Sequence, residues 1–270
     1  MPILGTSASA NIKSFLTFSV DYLVIAGGGG GNADVIGHAG GGGGGGGAGG
    51  YRTSIGGSAL TLSPSTNYTV TIGEGGTAIG NNASGASTAA GGNSTFHTIT
   101  TTGGGRGGGA NNSPGNGGSG GGARSGGGTD RGSGNAGGHS PVEGYRGSNA
   151  GGGLGYAPGG GGGAGGLPPD NYSRGPYVNN NIAGLNQEWA GGGAALNSGG
   201  SPAGGYGGNG STDGVGQPGT SGFVTVRYPN TRTITVGAGL TASHTNAATA
   251  DGSAYRYTKI TAGTGNVSWA

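Results

Sequence analysis

Residues 22–51 read YLVIAGGGGGNADVIGHAGGGGGGGGAGGY: an apolar strand that passes straight into five glycines, makes one short excursion and returns through an almost unbroken glycine run. Glycine has no side chain to bury, so only its peptide groups can order such a stretch. Fixing each residue costs about 1–2 kcal/mol of backbone entropy, and a hydrogen bond returns a net of about 1 kcal/mol. Nearly every N–H and C=O must therefore find a partner in a neighbouring run. Helix is disfavoured by roughly 1 kcal/mol per Gly relative to Ala, and strand is weakened because nothing packs on its faces. The conformation left is an extended threefold helix of polyproline II type, with about 3.1 Å rise per residue and no internal hydrogen bonds. Its peptides bond sideways, and the glycine region needs a conventional β core to frame it.

The requirement recurs along the chain, because glycine supplies 79 of its 270 residues and residues 103–186 are glycine runs broken by short polar or proline-containing excursions. Composition alone, rich in Gly with 11 Pro and no strict period, is that of a low-complexity chain; the strand patterns at both ends argue for order. From Phe15 the even positions Leu16, Phe18, Val20, Tyr22, Val24 and Ala26 are mostly apolar while Thr17, Ser19 and Asp21 face the other way, and burial extends to both faces at Leu23 and Ile25. Strands are expected at 51–55, 68–72 and 94–101, with turns at 63–67 and 73–76, then at 188–190 and 223–228, the last ended by Pro229. Further strands at 231–236, 254–261 and 265–269, with Tyr255, Tyr257 and Lys259 on one face, are expected to form an added three-stranded unit. The organisation is thus a lead segment 1–14, a glycine-rich unit 15–229 and a small β unit 230–270. Core-forming side chains are few, so the two ends are expected to mediate self-association or docking to another protein.

A formal net charge of +2 with 7% charged residues gives no electrostatic reason to bind nucleic acid. The absence of Cys removes disulfides and thiolate metal sites, and no export signal, anchor or membrane-inserting segment is expected. Glycine-rich dinucleotide motifs are unavoidable in polyglycine and carry no weight. No Gly-Lys pair exists for a P-loop, and residues 125–130, SGGGTD, neither complete nor repeat a calcium nonapeptide. His38, His97, His139 and His244 lack metal-ligand spacing, and the carboxylates of Asp21, Asp34, Glu143 and Glu188 are read as ordinary surface groups. Arg106 and Arg131 sit in RGG-like contexts of the kind found in disordered RNA-binding chains, but nine Arg are spread over the whole chain and nearly balanced by nine acids. No enzyme activity and no cofactor are expected.

Several segments carry a resemblance. VDYLVIAGGGGG, GGAGGYRTS, NYTVTIGEGG, GGNSTFHTITTTGGGRGGG and GTSGFVTVRYP follow, in order and spacing, the glycine-rich domain of tail-fibre and adhesin-like proteins of tailed bacteriophages, over residues 15–229. MPILGTSASA resembles the opening of phage structural proteins, and DGSAYRYTKITAGTGNVSW resembles a module that in such proteins often precedes the glycine-rich domain. The resemblance implies a mainly β fold, an antiparallel β-sandwich framing a bundle of polyglycine II helices. It also implies a virion location, as a tail fibre or tail-tip adhesin whose loops bind a host-surface glycan or outer-membrane protein, assembled with copies of itself or other virion proteins. A fibre segment or capsid decoration without receptor binding, and a disordered RNA-binding or matrix protein, are the alternatives.

The recognition surface is expected in residues 167–189, LPPDNYSRGPYVNNNIAGLNQEW, the longest excursion and the one rich in Pro, Asn and aromatics. Its prolines stiffen it, and Asp170, Tyr172, Arg174, Tyr177, Asn179 and Asn180 offer aromatic faces beside hydrogen-bonding groups. Tyr145 and Tyr156 mark the next candidate, and Trp189 is expected to cover the end of the sandwich.

Overall fold

The computed structural model describes residues 16–33, 42–78, 88–109, 112–126, 129–151, 157–195, 204–211, 215–249 and 254–270. Twelve strands run in chain order: β1 Phe18–Ile25, β2 Tyr51–Thr53, β3 Leu60–Leu62, β4 Tyr68–Thr71, β5 Ser94–Phe96, β6 Ile99–Thr101, β7 Val178–Asn180, β8 Gln187–Trp189, β9 Phe223–Pro229, β10 Ile234–Val236, β11 Leu240–Ala248 and β12 Tyr255–Trp269. No helix occurs among the described residues. Ten strands form one antiparallel sheet in the order β2-β1-β9-β12-β4-β5-β6, with β3 on β1 and both β10 and β11 on β12. The sheet curls until its ends meet. Arg52 Nη1 donates to the Thr100 carbonyl (3.3 Å) and Gly50 N to Thr102 O (2.8 Å), tying β2 to β6. The mainly β fold is as expected, but in place of two separate sandwich leaves there is a nearly closed, barrel-like sheet.

The reason is β12. Expected as two short strands of an added unit, it is a single 15-residue strand that bends at Gly263, where φ is +94° and a side chain would be strained. Before the bend it pairs with β9 and β11, and beyond it with β4 and β10. It carries Trp269 into the barrel interior, where the indole packs against Phe18 (5.7 Å), Tyr228 (5.8 Å) and Tyr68 (6.0 Å). The C-terminal strands therefore complete the main core, with β12 between β9 and β11 in its first half and bound by β4 and β10 in its second. Residues 1–14, the other expected docking segment, lie outside the described residues.

Strand alternation sorts two clusters. Val20, Tyr22, Val24, Val224, Val226, Tyr228 and Ile260 point into the barrel. Leu23, Ile25 and Phe223 point outward and are covered by Ile182, Ala190 and the small β7–β8 sheet. This second layer is why β1 is buried on both faces at its end.

Where β1 ends, the threefold pattern begins. Ala26, Gly29 and Asn32 donate to the carbonyls of Gly50, Gly47 and Gly44; Gly27 and Gly30 to Gly92 and Ala89; Gly28 and Gly31 to Thr220 and Gln217, all at 2.9–3.1 Å. The same run accepts from Gly104 and Gly107, from Gly208 and Ser211, and from Gly76. Six neighbouring segments thus surround one run, five of them bonded at every third residue and the sixth through Gly76 alone, which is the hexagonal arrangement of a polyglycine II bundle. The run 42–50 repeats the arrangement. Gly43, Gly46 and Gly49 donate to Ser211, Gly208 and Gly205, and Gly44 and Gly47 to Gly108 and Gly105. Extended strand and threefold helix are both fully hydrogen-bonded solutions, so β1 continues into the bundle without a turn.

Candidate functional site

Within the excursion 167–189, Asp170 organises a turn. Its carboxylate accepts from Tyr172 N (2.7 Å), Ser173 N (2.6 Å) and Ser173 Oγ (2.9 Å), and the backbone bond from Ser173, then that from Tyr172, hold its pKa below the usual carboxylate value. Asp170 is therefore a positioning group, its acceptors largely occupied. Tyr172 is exposed, with its carbonyl tied to Ala195 N (2.9 Å) and its phenol over Gly151. Arg174 is half-buried, and Tyr177 is exposed beside Glu188, whose hydrogen bond raises the phenol pKa.

Tyr206 lies within electrostatic reach of Glu188 and Arg174, and of the Tyr177 phenol when that ionises. Burial first, and Glu188 second, push the Tyr206 phenol up to about 12. Asn179 is exposed on β7. Asn180, expected in the recognition surface, is instead buried: its Nδ2 donates to Tyr51 Oη (2.7 Å) and Thr53 Oγ1 (3.2 Å), and its Oδ1 accepts from Ile182 N (2.8 Å). Alternation along β7 turns it inward, where it pins the hairpin to β2. Tyr145 is partly exposed on a segment whose backbone belongs to the bundle, donating to Gly163 O and accepting from Gly120 N. Tyr156 lies outside the described residues. Trp189 packs edge-on against Phe223 with centroids 4.6 Å apart, on the outer face of the sheet rather than at its end.

Two cavities flank this hairpin. One of about 460 Å³ lies between β2, Pro141, Val142, Ala164 and Val178. Behind it Glu143 is fully buried; its Oε2 accepts from Thr102 N (2.9 Å) and stands 3.7 Å from His139 Nε2, while Oε1 has no partner. A second cavity of about 180 Å³ lies between the hairpin and the barrel wall, lined by Gln187, Trp189, Phe223, His244, Tyr257 and Lys259 among others. The alternation of β12 puts Tyr257 and Lys259 on one face, as expected from sequence; that this face meets Trp189 had no local signal. Asp21 is paired with Arg227 (2.8 Å) on the outer face of the sheet. Among the described residues no group of three or more His, Asp or Glu is placed to hold a metal ion, and no helix is long and apolar enough to cross a membrane.

The model of a glycine-rich domain family matches residues 11–229. No curated protein and no solved structure matches the chain.

Proposed function

This chain belongs to the glycine-rich domain family, and we propose that it is a virion structural protein, a tail-fibre or tail-tip adhesin that displays its excursions to a host-surface receptor. The observation that carries this reading is the lattice around residues 26–32, in which one run bonds six neighbours. A scaffold whose interior is backbone has no room for a buried reaction centre, but it holds the ends of every excursion in fixed register. Recognition groups on loops gain affinity when a rigid frame has already removed their ordering cost. The excursion 167–189 fits that role: both ends enter the bundle, its turn is fixed by Asp170, and it leaves Tyr172 and Tyr177 exposed. The resemblance to tail-fibre glycine-rich domains supports the same conclusion.

The test is binding of the labelled, purified full chain to a panel of intact bacterial cells, alongside a Tyr172→Ala, Arg174→Ala, Tyr177→Ala variant. Saturable binding to a subset of strains, lost in a variant with an unchanged melting curve, is expected. Full binding by the folded variant removes this loop as the recognition surface. No saturable binding to any strain of a host that supports the virus leaves a fibre segment or capsid decoration as the function.

A further inference from the structure

Lys259 stands mid-strand in β12, in register with Thr225 of β9 on one side and Ser243 of β11 on the other. Its ammonium lies 4.4 Å from the ring centroid of Trp189 and 4.3 Å from that of Phe223. Ring faces attract a cation but accept none of its three N–H bonds in the ordinary sense. Among the described residues Lys259 forms no ion pair and no side-chain hydrogen bond. Burial pushes its pKa below the usual lysine value, because the ammonium has lost solvation and no partner charge compensates.

The facing wall is made by a distortion of β11. Its register on β12 jumps from Ser243↔Lys259 to Ala247↔Tyr257, so residues 244–246 stand opposite a single residue. His244 and Asn246 take φ values of +55° and +56°, conformations that cost a non-glycine residue about 1 kcal/mol or more. The bulge is pinned from within: Asn246 Oδ1 accepts from Tyr228 Oη (3.1 Å) and Ile234 N (3.1 Å), and Asn246 N donates to Thr258 Oγ1 (3.3 Å). Bulges re-aim side chains next to binding sites. This one lays the His244 ring against Tyr257, centroids 5.5 Å apart, at the rim of the cavity that Lys259 lines. No carboxylate is among the cavity's lining residues.

We propose that this cavity binds a carboxylated sugar, a hexuronic acid or similar acidic pyranose, with the carboxylate on Lys259 Nζ, the ring against the aromatic walls and hydroxyls on Gln187 and His244. A single ammonium between aromatic rings suits a carboxylate on an apolar-faced ring; inorganic phosphate requires several converging donors. The volume takes one ring rather than a long chain. The site stands on its own geometry and rests on the adhesin reading only for its biological use.

Titration calorimetry on the full chain with glucuronate, glucose and inorganic phosphate tests it. Glucuronate is expected to bind at least about tenfold tighter than glucose, and Lys259→Met, which keeps the stem between the rings, to weaken glucuronate about 10- to 100-fold while leaving glucose unchanged. A second variant, His244→Gly, relieves the positive φ and removes one wall; it keeps the melting temperature and weakens glucuronate, so the proposal stays testable if Lys259→Met does not fold. Equal affinity for glucuronate and glucose, displacement of glucuronate by phosphate, or unchanged affinity in the folded variants overturns the assignment. Cell binding by the parent chain without any glucuronate binding sinks this site and leaves the adhesin reading standing; glucuronate binding by the parent chain without cell binding does the reverse.

Discussion

Gly44→Ala puts one methyl group into the lattice. A Cβ built at Gly44 lies 2.7 Å from the carbonyl carbon of Gly122 and 2.9 Å from Ala123 O, and overlaps Gly122 O more closely still. All of these are backbone atoms, so relief requires the run 119–125 to move outward by about an ångström to reach ordinary contact. That run is held to 42–48 by three backbone bonds, Ser119 N to Ala48 O (3.0 Å), Gly122 N to Gly45 O (2.8 Å) and Ser125 N to Gly42 O (3.0 Å), with Ser125 Oγ also bonded to Gly42. Stretching three buried bonds by that distance costs about 3–6 kcal/mol. Loss of glycine's freedom in the unfolded chain gives back about 0.4–1 kcal/mol. The net, roughly 2–5 kcal/mol, is a large share of a typical total stability of about 5–15 kcal/mol, and corresponds to a melting temperature lower by roughly 5–15 °C. The matched controls are Gly57→Ala and Gly166→Ala, where the added methyl meets nothing nearer than 3.6 Å. Thermal melts followed by circular dichroism compare the three. If Gly44→Ala melts with the controls, the run is not inside a bundle.

Trp269→Ala, at the far end of the C-terminal strand, is expected to lose about 3–5 kcal/mol in denaturant unfolding; a change under about 1 kcal/mol would mean that the strand is an appendage. Glu143→Gln keeps the shape of the side chain and an acceptor for Thr102 N, so it should stay within about 1 kcal/mol of the parent, whereas Glu143→Ala orphans that N–H and should cost about 1–3 kcal/mol; the reverse order in chemical denaturation refutes this. Tyr206, with its folded pKa at about 12 against 10.0 when unfolded, favours the native state fully below pH 10 and progressively less as pH rises towards 12. Tyr206→Phe should therefore flatten the loss of stability between pH 10 and 12, and an unaltered slope would contradict it.

Strands carrying alternation were legible in the sequence: β1, β4 and β9 fall where period-2 patterning places them, and the polyglycine conformation follows from what glycine cannot do. The misses have physical causes. Residues 94–101 form the β5–β6 hairpin, turning at His97 with φ +52° and no Gly or Asn to announce it; the turn is held by the Thr95–Thr100 hydroxyl contact and by His97 edge-on to Tyr68. β11 was not among the expected strands, being short of large apolar residues because much of it meets solvent. The strands expected at 254–261 and 265–269 are one, because Gly263 between them is a bend inside the strand. Of the site, the excursion 167–189 and the shared face of Tyr257 and Lys259 were visible. Inward burial of Asn180 and the Trp189–Lys259–Phe223 stack were not, since both arise from a hairpin docking onto strands tens of residues away.

Hydrogen–deuterium exchange at the amides of residues 26–31 tests the lateral lattice most directly, because every one of these N–H groups is bonded to another run and none to its own. Protection equal to that of the barrel amides of β1, with exchange only through global unfolding, is the expected result. Exchange as fast as in the exposed turn at 56–58 would contradict it.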